Sequence, residues 1–240
     1  FVQAFPDGTC AGVAMRYAVE PEPLDTAGAI RFAADAAGID ETFVVVNGDI
    51  LTDLDVSQLV HFHRAHAAEA TIHLIAVPDP SAFGVVELDD DGRVLRFVEK
   101  PAPGTAPSNL INAGTYVLEP SVLQRIPTGQ KVSIERATFP LVAGDGGLFA
   151  MATDDYWIDT GRPELYLQAN LDVLAATRRH DRCDPVHATA VVAPDAVIQQ
   201  SIIGAHARVG AATVRGSVLL PGAIVEAGAV VTDSVVMGTV

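Results

Sequence analysis

The sequence predicts an α/β protein with a mostly parallel sheet over residues 1–174, a linker over 175–185, and an incomplete left-handed β-helix over 186–240. Two observations carry this. Apolar strand runs alternate with amphipathic helices in the first part, and short Gly- and Val-rich hexads replace them in the second. No apolar run nears the roughly 20 residues that span a bilayer, so no membrane partner is expected. The net charge of −15 argues against nucleic acid and anionic membrane surfaces. An anionic small substrate is still allowed, because a few local cations or a metal outweigh the global field at contact distance. Cys10 and Cys183 have neither close nor metal-type spacing, which predicts free thiols and a cytoplasmic location. The start, Phe1-Val2-Gln3, reads as a domain entered part-way rather than as a leader. Val240 ends the last coil without a polar cap, so both ends read as cut.

Residues 12–20 look strand-like, and 26–37 form a helix with Ala27, Ile30, Ala34 and Ala37 on one face. Phe43–Val46 is a β-branched run of the kind covered on both faces in a parallel sheet. Asp55, with Gln58 three residues on, starts a helix whose buried stripe is Val56, Leu59, Val60, His63 and Ala67. Residues 70–77 form a strand, and Gly84–Leu88 with Val94–Glu99 form a hairpin around Asp89-Asp90-Asp91-Gly92. Leu110–Leu118 and Leu148–Thr153 read as strands, 134–143 as a helix, and Pro163–Leu174 as a helix with proline in its first turn. Beyond the linker, Ser201-Ile202-Ile203, Ser217-Val218-Leu219 and Ser234-Val235-Val236 repeat at coil spacing, as three hexads per triangular turn require.

Four short stretches carry chemistry. Asn47-Gly48-Asp49 follows a strand, where open sheets bind ligands, and its carboxylate suits Mg²⁺; it is also ordinary turn chemistry. In Phe97-Val98-Glu99-Lys100-Pro101 the acid can take sugar hydroxyls and the lysine a phosphate. Only Lys100 and Lys131 are lysines, and Pro101 predicts an extended residue before it. Asn112-Ala113-Gly114-Thr115-Tyr116 offers an amide beside a close backbone approach at Gly114. Tyr156-Trp157-Ile158-Asp159-Thr160-Gly161 places a second carboxylate just before a helix, which could equally be a cap.

Together, in this order, the four stretches resemble the sugar-1-phosphate nucleotidyltransferases, particularly their mannose-1-phosphate guanylyltransferase branch. Residues 22–29, 82–86, 132–136 and 166–170 match as well. The resemblance implies a Rossmann-like, GT-A-like domain joined to the β-helix, which would mediate homo-oligomer formation. It implies transfer from an NTP, GTP first, to a sugar 1-phosphate, mannose 1-phosphate first, giving an NDP-sugar and pyrophosphate. By that resemblance Asp49 and Asp159 hold Mg²⁺. Glu99, Asn112, Gly84 and Gly114 line the sugar pocket, Lys100 meets the sugar phosphate, and Asp25, Gly28 and Asp49 border the nucleotide.

The family opens on a Gly-rich segment, followed by Arg and Lys, that cradles the triphosphate. This sequence does not contain it, and Asp25 stands where the family usually has glycine. Transfer by these residues alone is therefore expected to be impaired. The alternatives are a glucose-1-phosphate thymidylyl- or uridylyltransferase and a non-catalytic sugar-nucleotide-binding regulatory subunit. A hexapeptide acyltransferase using His206 and a metal site at His61, His63 and His66 are both weaker readings.

Overall fold

The computed structural model describes residues 2–179 and 183–240, so the middle of the expected linker, 180–182, lies outside the described residues. The chain packs as two compact units: one runs to Asn47 and resumes over Asp55–Asp154, the other joins Gly48–Leu54 to Asp155–Val240.

The first unit starts with a small hairpin, β1 (Thr9–Cys10) against β2 (Val13–Ala14), so only two of the nine residues expected to be strand-like over 12–20 pair. Helix α1 (Asp25–Ala37) buries Ala27, Gly28 and Ala34 and ends at Gly38, whose left-handed conformation closes the helix. Strand β3 (Phe43–Val46) is followed by β4 (Ile50–Thr52) of the second unit and by α2 (Val56–Ala65). Asp55 caps α2 by accepting from the Ser57 amide at 2.9 Å, while Gln58 donates to its side chain at 3.3 Å. Then come β5 (Ala70–Ala76), the hairpin β6 (Gly84–Leu88) and β7 (Val94–Glu99), β8 (Leu110–Leu118), the short α3 (Pro120–Gln124), α4 (Phe139–Gly144) and β9 (Leu148–Thr153).

The sheet is mixed rather than mostly parallel. Its order is β7-β6-β8-β5-β9, with β3 also on β8, and β5–β9 is the parallel pair. Strands β3 and β5 do run the same way, as a helical crossover through α2 requires. The later strand β8 lies between them, antiparallel to both, in register Val45↔Tyr116 and Ile72↔Tyr116. Nor is β3 covered on both faces: Val44 and Val46 are exposed.

The core joins Ala27, Ile72, Leu74, Tyr116, Leu118, Phe139 and Val142, with the Tyr116 and Phe139 rings edge-on at 5.2 Å. The expected helix over 134–143 is instead a π turn, Ile134–Thr138, leading into α4. Pro140 explains the break: it has no N–H to give the Arg136 carbonyl and its ring crowds that group, so the turn before it widens.

In the second unit β4 pairs antiparallel with β10 (Trp157–Asp159), in register Asp159↔Ile50, and α5 (Pro163–Leu174) follows. A buried ion pair closes this part, Arg178 Nη2 to Asp53 Oδ1 at 2.8 Å, with the Arg179 amide on Asp53 Oδ2 at 2.9 Å.

Beyond these, the described residues coil as a left-handed parallel β-helix, in three parallel sheets whose registers, such as Val197↔Thr213↔Val230, advance by one turn per strand. Ile203, Val209, Val214, Leu219 and Val225 fill its interior. Gln200, Gly216 and Asp233 take left-handed backbone at equivalent corners, each just before a serine. The Oγ of Ser201 accepts from the Ser217 amide, and that of Ser217 from the Ser234 amide, both at 3.1 Å.

Candidate active site

Each unit holds a group of the residues singled out by the sequence. In the second unit, Asp49 precedes β4 and Asp159 ends β10, so the antiparallel pairing of these strands brings them side by side. The Asp49 carbonyl accepts from both the amide and the hydroxyl of Thr160, each at 2.8 Å. Asp159 Oδ1 accepts from the Gly161 amide at 2.8 Å. A β-carbon built on Gly161 would lie 3.0 Å from Asp159 Oδ1 and 3.3 Å from Asp49 Oδ2, so both carboxylates flank one point.

Among the described residues no three His, Cys, Asp or Glu side chains form a metal cage. A pair of carboxylates nevertheless suits Mg²⁺, which keeps several waters and takes further oxygens from substrate phosphates. Beside Asp49 a pocket of about 220 Å³ is lined by Leu51, Thr160, Tyr166 and Asn170. A larger cavity, about 680 Å³, lies against α5 and the coils, lined by Gln168, Asp172, Ile198 and Gly216 among others.

In the first unit, β6 and β7 place Gly84 opposite Glu99. A β-carbon at Gly84 would meet the Phe97 ring at 2.6 Å and Glu99 Oε2 at 2.9 Å, so this glycine makes room for the carboxylate itself. Lys100 departs from the extended geometry expected before proline: its φ is 49°, and its amide donates to the Phe83 carbonyl at 3.0 Å. That turn brings adjacent acid and base to the same side, with Lys100 Nζ 3.9 Å from Glu99 Oε1 and Arg136 Nη2 at 4.0 Å. Asn112 is held at both ends, accepting from the Gly114 amide at 3.0 Å and donating to the Tyr116 hydroxyl at 2.9 Å. Gly114, at φ 76°, accepts from the Asn47 amide at 2.8 Å.

At the entry to α1, Asp25 has φ 61° and accepts from the Thr26 amide at 2.8 Å. Gly28 is buried, and a β-carbon there would lie 2.5 Å from the Gln130 carbonyl oxygen, so packing alone requires a glycine. Two residues not singled out before join these groups: Glu135, which accepts from Thr26 Oγ1 at 2.9 Å, and buried Tyr116, whose hydroxyl accepts from Asn112. Their only signal in the sequence was membership of the matched stretches around them.

Burial raises the Glu99 pKa above the ordinary carboxylate value, and the nearby Glu135 charge adds to this, against the pull of Lys100 and Arg136. A raised pKa means that ionising Glu99 at neutral pH costs the folded state. Its stabilising contribution is complete below the unfolded pKa, about 4.3, and is lost as pH rises through the folded value. Glu99→Gln is therefore expected to raise the melting temperature at pH 7, with the gain vanishing near pH 4. Melting curves across that range check it; a lower melting temperature at pH 7 would overturn it.

Three of the described histidines make contacts within the fold. Buried His63 contacts Thr71 Oγ1 at 2.9 Å and Glu119 Oε1 at 3.1 Å, and the His66 ring lies 4.1 Å from that of Phe62. His206 is a left-handed coil corner whose amide donates to Thr189. Among the described residues no helix is long and apolar enough to cross a membrane.

A model of the nucleotidyl transferase family matches residues 1–176. The mannose-1-phosphate guanylyltransferase of Mycobacterium tuberculosis (strain ATCC 25618 / H37Rv) is 38% identical over 221 residues, covering 88% of this chain and 60% of that protein. The chain thus spans about half of the curated relatives it matches, 55% and 45% of two others. HddC from Yersinia pseudotuberculosis, solved in complex with GMP-PN, is 29% identical with a TM-score of 0.57, over 70% of this chain and 71% of that one. A putative glucose-1-phosphate thymidylyltransferase from Bacillus anthracis shares the fold, with a TM-score of 0.64 at 22% identity, over 76% of this chain and 73% of that one. With the family model covering the whole α/β region and both groups of site residues, the chain belongs to the nucleotidyl transferase family.

Proposed function

We propose that the protein transfers a nucleotidyl group from an NTP to a sugar 1-phosphate, forming an NDP-sugar and releasing pyrophosphate, with GTP and mannose 1-phosphate as substrates. The observation that carries this reading is the pair of carboxylates, Asp49 and Asp159, flanking one point above Gly161. The choice of base and sugar is supported by the relatives named mannose-1-phosphate guanylyltransferase and by the GMP-PN complex of HddC.

In this reading a sugar-phosphate oxygen attacks the α-phosphorus in line as the bond to pyrophosphate breaks, so no covalent enzyme intermediate is needed. Mg²⁺, when held by Asp49 and Asp159, supplies charge neutralisation at the α-phosphate. Lys100, 61% exposed and turned out by its left-handed backbone, offers a cation to the sugar phosphate. Glu99 and the fixed Asn112 amide take the sugar hydroxyls, while Gly84 leaves space for the Glu99 carboxylate. Asp25 borders the nucleotide.

The division at 174 and 186, with the β-helix mediating self-association, belongs to the same proposal. Exposed Val191, Val197, Val230 and Met237 on the coils support it. Free Cys10 and Cys183 suit a reducing cytoplasm.

Pyrophosphate release by the full-length protein tests the reading across GTP, dTTP and UTP, each with mannose 1-phosphate and glucose 1-phosphate. GTP with mannose 1-phosphate should give the highest kcat/KM. A preference for dTTP or UTP with glucose 1-phosphate would overturn the specificity, and no release with any pair would overturn the transfer itself.

A further inference from the structure

We infer that Arg136 is a second ligand for the substrate phosphate, forming with Lys100 a two-cation clamp around a sugar-phosphate dianion. This rests on the transferase reading, in which Lys100 meets the sugar phosphate and Glu99 the sugar hydroxyls.

The clamp begins with the π turn that carries Arg136. Ser133 caps that turn, its hydroxyl accepting from the Arg136 amide at 3.2 Å. The adjacent Glu135 is engaged elsewhere: its Oε2 accepts from Thr26 Oγ1 at 2.9 Å and from Ser133 Oγ at 2.8 Å. Among the described residues the one ion-pair contact of Arg136 is with Glu99 Oε1, which its Nη2 approaches at 4.0 Å. Lys100 Nζ approaches the same oxygen at 3.9 Å, from the end of β7.

Neither approach is a hydrogen bond, since N–H···O contacts close at about 2.7–3.2 Å. The guanidinium fork and the ammonium group thus keep their donors for another acceptor. The Arg136 and Lys100 side chains are 64% and 61% exposed, so a ligand can reach both. Two cations within 4.0 Å of one oxygen stand close enough for the several oxygens of one phosphate to bridge them.

Charge decides what fits. A phosphomonoester carries about −1.5 to −2 at neutral pH, and the chain, at net −15, repels it as a whole. Lys100 and Glu99 are neutral as a pair, and nearby Glu135 adds a further negative charge. Without Arg136 this group would repel the phosphate; with it, two exposed cations prevail at contact distance. Arginine suits the task, because its planar fork takes two phosphate oxygens at once where lysine is a point charge.

Calorimetry on the full-length protein, with mannose 1-phosphate and separately with GTP, tests the clamp. Arg136→Gln should weaken mannose 1-phosphate binding about 10-fold, the lower end for hydrogen bonds to a charged group. GTP binding and the melting temperature should stay as they are. The same loss should appear when Arg136→Gln is added to Glu99→Gln, because the partner of Arg136 is the phosphate and not the glutamate.

A loss that disappears in the Glu99→Gln background would mean that Arg136 only balances Glu99, overturning the inference. So would equal weakening of both ligands, an unchanged mannose 1-phosphate affinity, or a parent protein that binds no mannose 1-phosphate. A parent that binds mannose 1-phosphate through Arg136 yet releases no pyrophosphate with any NTP would defeat the transferase reading while supporting the clamp.

Discussion

Asp159→Asn is expected to lower turnover by about 10²–10³-fold, the usual cost of removing one preorganised group that stabilises developing charge, without lowering the melting temperature. The substitution is selective because the structural task of Asp159, accepting from the Gly161 amide at 2.8 Å, needs only an Oδ1, which Asn also has. What disappears is the negative charge. Asp49 allows the same separation, since its contacts with Thr160 use the backbone carbonyl and not the carboxylate. Asp49→Asn should fall into the same range. The double variant should cost much less than the product of the two, because both carboxylates serve one task. Pyrophosphate-release kinetics and melting curves on the same samples decide it. Turnover equal to that of the unaltered protein would remove the pair from the reaction.

The second large effect concerns stability. Asp53→Ala should destabilise the unit containing the β-helix by about 3–5 kcal/mol, the cost of leaving one half of a buried ion pair uncompensated. The side chains of Arg178 and Asp53 are 7% and 2% exposed, so water cannot readily replace the lost partner. Asp53 also accepts from the Arg179 amide, and Arg178 donates to the Thr52 carbonyl, so the loss reaches the backbone on both sides. Chemical denaturation followed by circular dichroism measures it. A companion Asp53→Asn variant, which keeps an acceptor and loses the charge, should fall between the two. Unfolding of Asp53→Ala at the same denaturant concentration as the parent would contradict the expectation.

Much of this architecture was written in local spacing. Strand β8, strand β9 and α5 were legible to the residue because their apolar runs are bounded by turn and proline signals. The serine-led repeats gave the coil register directly. What stayed hidden depends on partners far away in sequence. Strand β8 enters between β3 and β5, and nothing within either strand signals that a later segment will separate them. Gly28 looks like a ligand-facing glycine until the Gln130 carbonyl is found above it. Lys100 was expected to be extended from its proline neighbour, but the hydrogen bond that its amide donates to the Phe83 carbonyl accompanies a left-handed turn instead. Of the candidate site, the carboxylates and the Glu99–Lys100 pair could be named from short motifs. Glu135 could not be given a task, because its link to Thr26 spans 109 residues and has no local pattern.

The serine ladder of the β-helix has an evolutionary side. Each serine satisfies its own corner through an i−2 carbonyl, Ser201 on Gln199 and Ser217 on Arg215, and offers its oxygen to the amide of the next coil. Every coil therefore exposes the same acceptor that it consumed from the coil before. Neighbours in such a stack interact only with neighbours, so duplication or loss of one whole coil leaves each remaining junction chemically unchanged. An insertion of a few residues, by contrast, would move a serine off its corner and strand an amide. The β-helix can thus lengthen or shorten across lineages in quantised steps, like a ruler cut only at its marks, while the α/β domain diverges one residue at a time.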